Sequence, residues 1–327
     1  MPATYPLQVD DQRTLPDGYT GPVFIWDIDK TYLSTHFSSL QGLSRIPLEF
    51  AVDKQAIAGM PEVLRGIRRG PGPGYGCVPL YFVSASPPQL RAVLEHKMIL
   101  DGVEFDGITF KDWWQIMKKG RPKRMLDQVG FKVCALLEGR QRRPLATEYL
   151  FGDDAESDAD AFSLYANLVH EEMSYGEARD RIADVGMRED NQGCALALLD
   201  RLPEKRGKVK KIFIHLEKRT PPEQFDRFGP LVVPVRGGFQ LCLALFALGL
   251  VDEATVSQCR DATFPAGEAQ DPELDARITD AVDRRLISRR KLGLLDSVFP
   301  TSARKKSERP GETTHSWKKR RSETHPR

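Results

Sequence analysis

The chain has 327 residues, 40% of them apolar and 29% charged, with a net charge of +2, which is enough for one large or two small globular units. Five cysteines (Cys77, Cys134, Cys194, Cys242, Cys259) are scattered without a Cys-x-x-Cys pair, which argues against a disulfide framework or a zinc knuckle. Met1 to Pro16 has neither a basic start nor an apolar core, and the longest apolar stretch, Phe239 to Val251, is 13 residues, too short to cross a bilayer; the expectation is a cytoplasmic protein without a signal peptide.

In chain order, residues 1–20 read as an N-terminal arm. The apolar run Pro22 to Trp26 reads as a strand that ends on Asp27-Ile28-Asp29-Lys30-Thr31. Open α/β sheets place ligands at such strand ends. Two carboxylates one residue apart can divide the work of phosphoryl transfer, one attacking phosphorus and the other moving protons. Gly59-Met60-Pro61 ends a loop and opens the helix Glu62–Arg69, and Pro71-Gly72-Pro73-Gly74-Tyr75-Gly76 can be neither helix nor strand. A second buried strand, Leu80–Val83, leads to Ser84-Ala85-Ser86-Pro87. Ser84 suits a phosphate oxygen, and a plain turn with Ser86 as helix cap explains the same residues.

Helix Gln89–Leu100, strand Gly107–Phe110 and helix Arg124–Leu137 follow, the last carrying Lys132, the leading basic residue for the site. Lys111, Lys118, Lys119 and Lys123 are its rivals. Strand Glu148–Phe151 then runs into Gly152-Asp153-Asp154-Ala155-Glu156-Ser157-Asp158. Several carboxylates after a strand suit Mg²⁺, which takes hard oxygen ligands; an acidic helix start explains them as well. Helix Ser157–His170, inserted helices at 171–208, and strands Lys211–Leu216 and Leu231–Val235 complete a core over 21–236. Alternating strands and helices predict an α/β fold, a parallel sheet with helices on both faces.

Residues 237–300 read as a helical appendage, with start signals at Asp252 and at Asp271-Pro272-Glu273. Residues 301–327 hold nine Lys or Arg against three Glu, a net of +6, leaving −4 for the rest of the chain. Such a basic tail has little to pack. It is either a solubilising end or an arm for anionic lipid or nucleic acid. His36, His96, His170, His215, His315 and His325 show no zinc-ligand spacing.

Taken together, these motifs resemble the haloacid dehalogenase (HAD) superfamily of Mg²⁺-dependent phosphotransferases. Within it, the chain resembles the catalytic domain of the actin-patch phosphatidate phosphatase family and its bacterial relatives. The resemblance rests on Asp27-Ile28-Asp29-Lys30-Thr31 with Thr35 four residues on, Gly59-Met60, Tyr81 to Leu90, Lys111-Asp112, and Lys132 placed 21 residues before Asp153. It covers residues 21 to 165, with a weaker echo at Lys211 to His215.

The resemblance implies a HAD-like Rossmannoid fold and a phosphatase working through an aspartyl-phosphate. Asp27 would be nucleophile, Asp29 general acid and base, Lys132 the charge-neutralising cation, and Thr31 and Ser84 substrate-binding. Mg²⁺ would be held by Asp27, the Asp29 carbonyl and Asp153, with Asp154 or Asp158 assisting. The substrate it implies is phosphatidate or a related lipid phosphate, met at an anionic membrane surface through the 301–327 tail. A soluble sugar, nucleotide or polynucleotide phosphate is the alternative, and a non-catalytic regulatory protein on the same fold is a third reading.

Two motifs depart from the family pattern. Lys30 stands where Asp is expected, and Gly152-Asp153-Asp154-Ala155-Glu156-Ser157-Asp158 stands for Gly-Asp-Ser/Thr-Gly-x-x-Asp, with Asp154 and Glu156 adding charge. The gaps of 56 residues between Asp27 and Ser84, and 47 between Ser84 and Lys132, leave little room for a large cap.

Overall fold

The computed structural model describes residues 5–34, 55–86, 90–118, 127–170, 173–264, 272–295 and 297–299. Thr35 and the basic tail lie outside them. The main sheet comprises β1 (Leu7–Asp11), β2 (Pro22–Asp27), β5 (Leu80–Ser84), β6 (Gly107–Lys111), β7 (Thr147–Asp153), β8 (Val209–His215) and β9 (Val232–Val235). Two short strands, β3 (Leu33–Ser34) and β4 (Gln55–Ala56), pair separately. The sheet order is β1-β6-β5-β2-β7-β8-β9, parallel throughout except for β1, which runs antiparallel along β6. The N-terminal arm thus carries an edge strand. Its polar Gln8, Asp10 and Asp11 hide it from hydrophobic patterning, because an edge strand buries little.

From β2 the chain builds outward to β5 and β6, then crosses back to lay β7, β8 and β9 on the other side. The order therefore reverses at β2. A crevice at the carboxyl ends of the strands beside such a reversal is where open α/β sheets bind ligands.

Both faces of the sheet are covered. Side chains alternate along a strand, so Phe24 and Trp26 enter one layer while Val23 and Ile25 enter the other. Covering on both sides also explains why β2 reads as a continuous apolar run. In the first layer Trp26 stacks on Phe151 at 4.2 Å, and Phe151 on Phe213 at 5.3 Å, an aromatic ladder across β2, β7 and β8. Helices α1 (Met60–Arg69), α2 (Arg91–Leu100), α8 (Gly237–Ala247), α9 (Glu253–Thr263) and α10 (Pro272–Asp283) pack into this layer, and a short α3 (Trp113–Lys118) follows β6. The second layer holds α4 (Gln128–Arg142), α5 (Asp158–His170), α6 (Tyr175–Asp184) and α7 (Glu189–Leu199). A final short helix, α11, spans Arg289–Leu292. The 13-residue apolar run is largely α8, whose residues 238–245 are buried. Among the described residues no helix is long and apolar enough to cross a membrane.

The helices of 237–299 share one core with the sheet. Gly238 opens α8 against the loop that starts α1, and a Cβ there would meet Gly59 C at 2.6 Å, the Ala58 carbonyl oxygen at 2.7 Å and Met60 N at 2.8 Å. Arg69 of α1 also pairs with Asp252, the N-cap of α9, at 2.8 Å. The Gly238 contact is with backbone, which cannot rotate aside as a side chain can. Gly238→Ala is therefore expected to destabilise the protein by about 1–3 kcal/mol, measured by urea denaturation. An unchanged midpoint would show that this docking is loose.

Candidate active site

Three strand ends deliver the central residues. Asp27 closes β2, Asp153 closes β7 and Ser84 closes β5, and the pairing Asp27↔Val83 sets Ser84 one position beyond Asp27. Lys132 comes from α4, whose start is fixed by the Asp127 side chain accepting from Gly130 N at 2.7 Å. Asp127 is itself held by Asn191 Nδ2 of α7 at 2.5 Å and by Arg188 N at 3.1 Å. The inserted helices thus brace the helix that carries the lysine.

The Lys132 ammonium lies 3.1 Å from Asp27 Oδ1 and 3.0 Å from Glu156 Oε2, and it also donates to Asp158 Oδ1. Lys132, Asp27, Asp153 and Asp158 are all buried. Carboxylate oxygens of Asp27, Asp153 and Asp158 lie within 4.8 Å of one another, a grouping able to hold a metal ion. Their commitments differ. Asp158 is fully used, since Oδ2 accepts from Asp153 N at 3.1 Å. Its approach requires Gly152, where a Cβ would meet Asp158 Oδ2 at 2.3 Å. Asp153 Oδ1 accepts from Ala155 N and Glu156 N at 2.6 and 3.0 Å, while among the described residues Oδ2 has only a long 3.4 Å bond from Thr31 Oγ1. Asp27 Oδ2 is buried without a hydrogen-bond partner among the described residues. Asp27 Oδ2 and Asp153 Oδ2 are thus the oxygens left for a cation.

Asp154, expected among the metal carboxylates, belongs elsewhere. Its oxygens accept from Lys218 N at 2.8 Å and Thr220 N at 3.1 Å, so it ties the loop after β8 to the loop after β7. The Asp29 carboxylate also stands apart from the buried triad. Its Oδ2 accepts from Ser86 Oγ at 2.5 Å, and its Oδ1 is buried without a partner among the described residues. Ser86, which reads as a helix cap, instead holds the proposed acid, and α2 has Leu90 at its N-cap. Ser84 Oγ accepts from Ser86 N at 3.1 Å, leaving its own hydrogen to donate.

Lys30 adopts a left-handed backbone (φ 61°), a conformation that Asp and Asn enter more readily than Lys. The Lys30 carbonyl sits 2.9 Å from His215 Nδ1, so the histidine pins the loop after β2 to the end of β8. Sequence spacing carries no signal for that role. Lys111, a rival for the cationic position, is buried at the end of β6 and donates to the Asp127 carbonyl at 3.1 Å. Burial pulls its pKa down to about 8.

Burial likewise pushes the Asp27 carboxyl well above the carboxylate range; Lys132 opposes this, while Asp158, Glu156 and Asp153 add to it. Asp153 is raised to about 7, first by burial and then by the Asp158 charge. For Lys132 burial works against the charge, but the surrounding carboxylates, Asp158 foremost, outweigh it and hold the ammonium well above its usual range.

Searched against family profiles, curated proteins and solved structures, the chain finds no match.

The Asp153 shift fixes a sign. Its folded pKa lies above the ordinary value of 3.8, so the folded state holds the proton more tightly between pH 4 and 7. Stability from this group is full below pH 4 and is lost as pH rises through about 7. With a chelator present, the melting temperature of Asp153→Asn minus that of wild type should rise across this window. A flat difference would contradict the shift.

Proposed function

We propose that the protein is a HAD-type, Mg²⁺-dependent phosphomonoester hydrolase acting through an aspartyl-phosphate. The observation carrying this reading is Asp27: a buried strand-end carboxylate with one oxygen on Lys132, the other without a partner among the described residues, and Asp153 in the same cluster. A binding module has no use for Asp27 and Asp29 together beside a neutralising cation.

In this reading an Asp27 oxygen attacks phosphorus, and the bond from phosphorus to the ester oxygen breaks. Asp29, steadied by Ser86, gives its proton to the departing oxygen. Asp29 then takes a proton from water, whose oxygen attacks the phosphoryl group, and the bond to Asp27 breaks to release inorganic phosphate. Lys132 neutralises charge between Asp27 and the incoming group, and the Ser84 hydroxyl donates to a phosphoryl oxygen. Thr31 orients Asp153. The donor set fits a hard cation: Mg²⁺ would be held by Asp27 and Asp153, with the Asp29 carbonyl as the family resemblance implies, while Asp158 supports from behind. Bound there, the ion would supply charge neutralisation at the phosphoryl oxygens.

Phosphatidate or another lipid phosphate is the substrate class the resemblance supports. Lys30, a cation where the family has Asp, favours comparison with soluble sugar, nucleotide and polynucleotide phosphates.

Asp27→Asn should reduce Mg²⁺-dependent phosphate release from an aryl phosphate by roughly 10³-fold or more. Its melting temperature should match or exceed that of wild type, because the ionised carboxylate is disfavoured at that buried position. Equal turnover by the Asn variant would overturn the nucleophile assignment. A screen of lipid, sugar and nucleotide phosphates beside it identifies the substrate class.

A further inference from the structure

Three carboxylates crowd the Lys132 ammonium: Glu156 and Asp158 accept hydrogen bonds from it, and Asp27 Oδ1 forms an ion pair with it at 3.1 Å. A phosphoryl oxygen approaching this buried ammonium competes with these carboxylates. Two of the three are locked. Asp27 closes a central strand with its side chain 2% exposed. Asp158, at 0%, also accepts from Asp153 N and is wedged against Gly152. Glu156 differs on each count. Its side chain is 15% exposed, and Lys132 is its carboxylate's sole hydrogen-bond or ion-pair partner among the described residues. Its backbone N–H is fixed to Asp153 Oδ1 at 3.0 Å, so the side chain can swing without moving the loop.

We propose that the Glu156 carboxylate is a built-in competitor for the phosphoryl group: it holds an N–H of Lys132 until a phosphorylated ligand takes its place. This rests on the phosphatase reading and adds a specificity-determining residue to it. The carboxylate and a phosphoryl oxygen carry the same sign and seek the same donor. Each binding event therefore includes expulsion of Glu156, and ligands with a dianionic terminal phosphate displace it best. Monoanionic phosphodiesters and carboxylates, with less charge to offer Lys132, displace it poorly.

The test uses the full chain with Mg²⁺ and inorganic phosphate as probe, titrated calorimetrically into wild type, Glu156→Gln and Glu156→Ala. Removing the competing charge should tighten phosphate binding about tenfold in both variants. With an aryl phosphate the gain should appear as a lower KM more than as a higher kcat, a split that a merely structural role would not produce. Glu156→Asp, which keeps the charge on a shorter stem, should lie between wild type and Gln, and it serves as the readout should the larger changes fail to fold. Phosphate affinity that is equal or weaker in the variants, or undetectable in all of them, overturns the inference. If wild type shows no Mg²⁺-dependent hydrolysis but the variants still bind phosphate more tightly, the phosphatase reading falls while the competition at Lys132 stands.

Discussion

Everything at the carboxyl edge of this sheet depends on one buried ammonium. Asp27, Asp153, Asp158 and Glu156 crowd a space with little access to water, where an isolated carboxylate would protonate instead of ionising. Lys132 makes the cluster tenable by contacting three of the four. Breaking a buried arrangement of this kind from one side leaves uncompensated charge, which is costly. The position of Lys132 is accordingly over-determined, through the Asp127 cap and the α7 residues that hold Asp127 in turn. The helices inserted before β8 thus take part in the site without touching it.

A second buried pair stabilises the opposite end of β7. Arg140 of α4 meets Glu148 at 2.5 Å, Tyr165 of α5 donates to the same carboxylate at 2.6 Å, and Arg140 also donates to the Ala146 carbonyl at 2.8 Å. The helix bearing Lys132 is therefore anchored at both ends, by Lys132 to Asp158 at the start of α5 and by Arg140 to Glu148 of β7. Burial of Phe131, Leu136 and Leu137 in the second layer fixes the helix rotation. The distance from Lys132 to Asp27 follows from that rotation.

Legibility in the sequence tracked burial and locality. The central strands were readable because residues covered on both faces form unbroken apolar runs. The edge strand β1 was not, since a strand with one free side needs no such run. Asp27, Ser84, Lys132, Asp153 and Asp158 could be picked out because strand ends and a fixed spacing carry them to one edge. Asp154 follows the same strand yet serves the 218–220 loop, because successive residues leaving a strand point different ways. The parts played by Ser86, His215 and Glu156 arise from contacts between distant segments or from side-chain reach, and local pattern holds no trace of these. The same holds for residues 237–299, where amphipathic helices were legible but their shared core with α1 was not.

That shared core has a consequence for how the protein is made. Helix α1 and the Gly59 loop lie under α8 and α9, about 200 residues downstream, with Cys259 Sγ donating to the Gly59 carbonyl at 3.3 Å. On a ribosome adding roughly 5–20 residues per second, α1 waits about 10–40 s for its cover. During that interval Met60, Val63, Leu64 and Ile67, all fully buried in the finished protein, lack the partners that α8 and α9 supply. The nascent chain thus emerges with a sticky apolar helix, and the interval before its late-made cover arrives is when a chaperone would have most to shield.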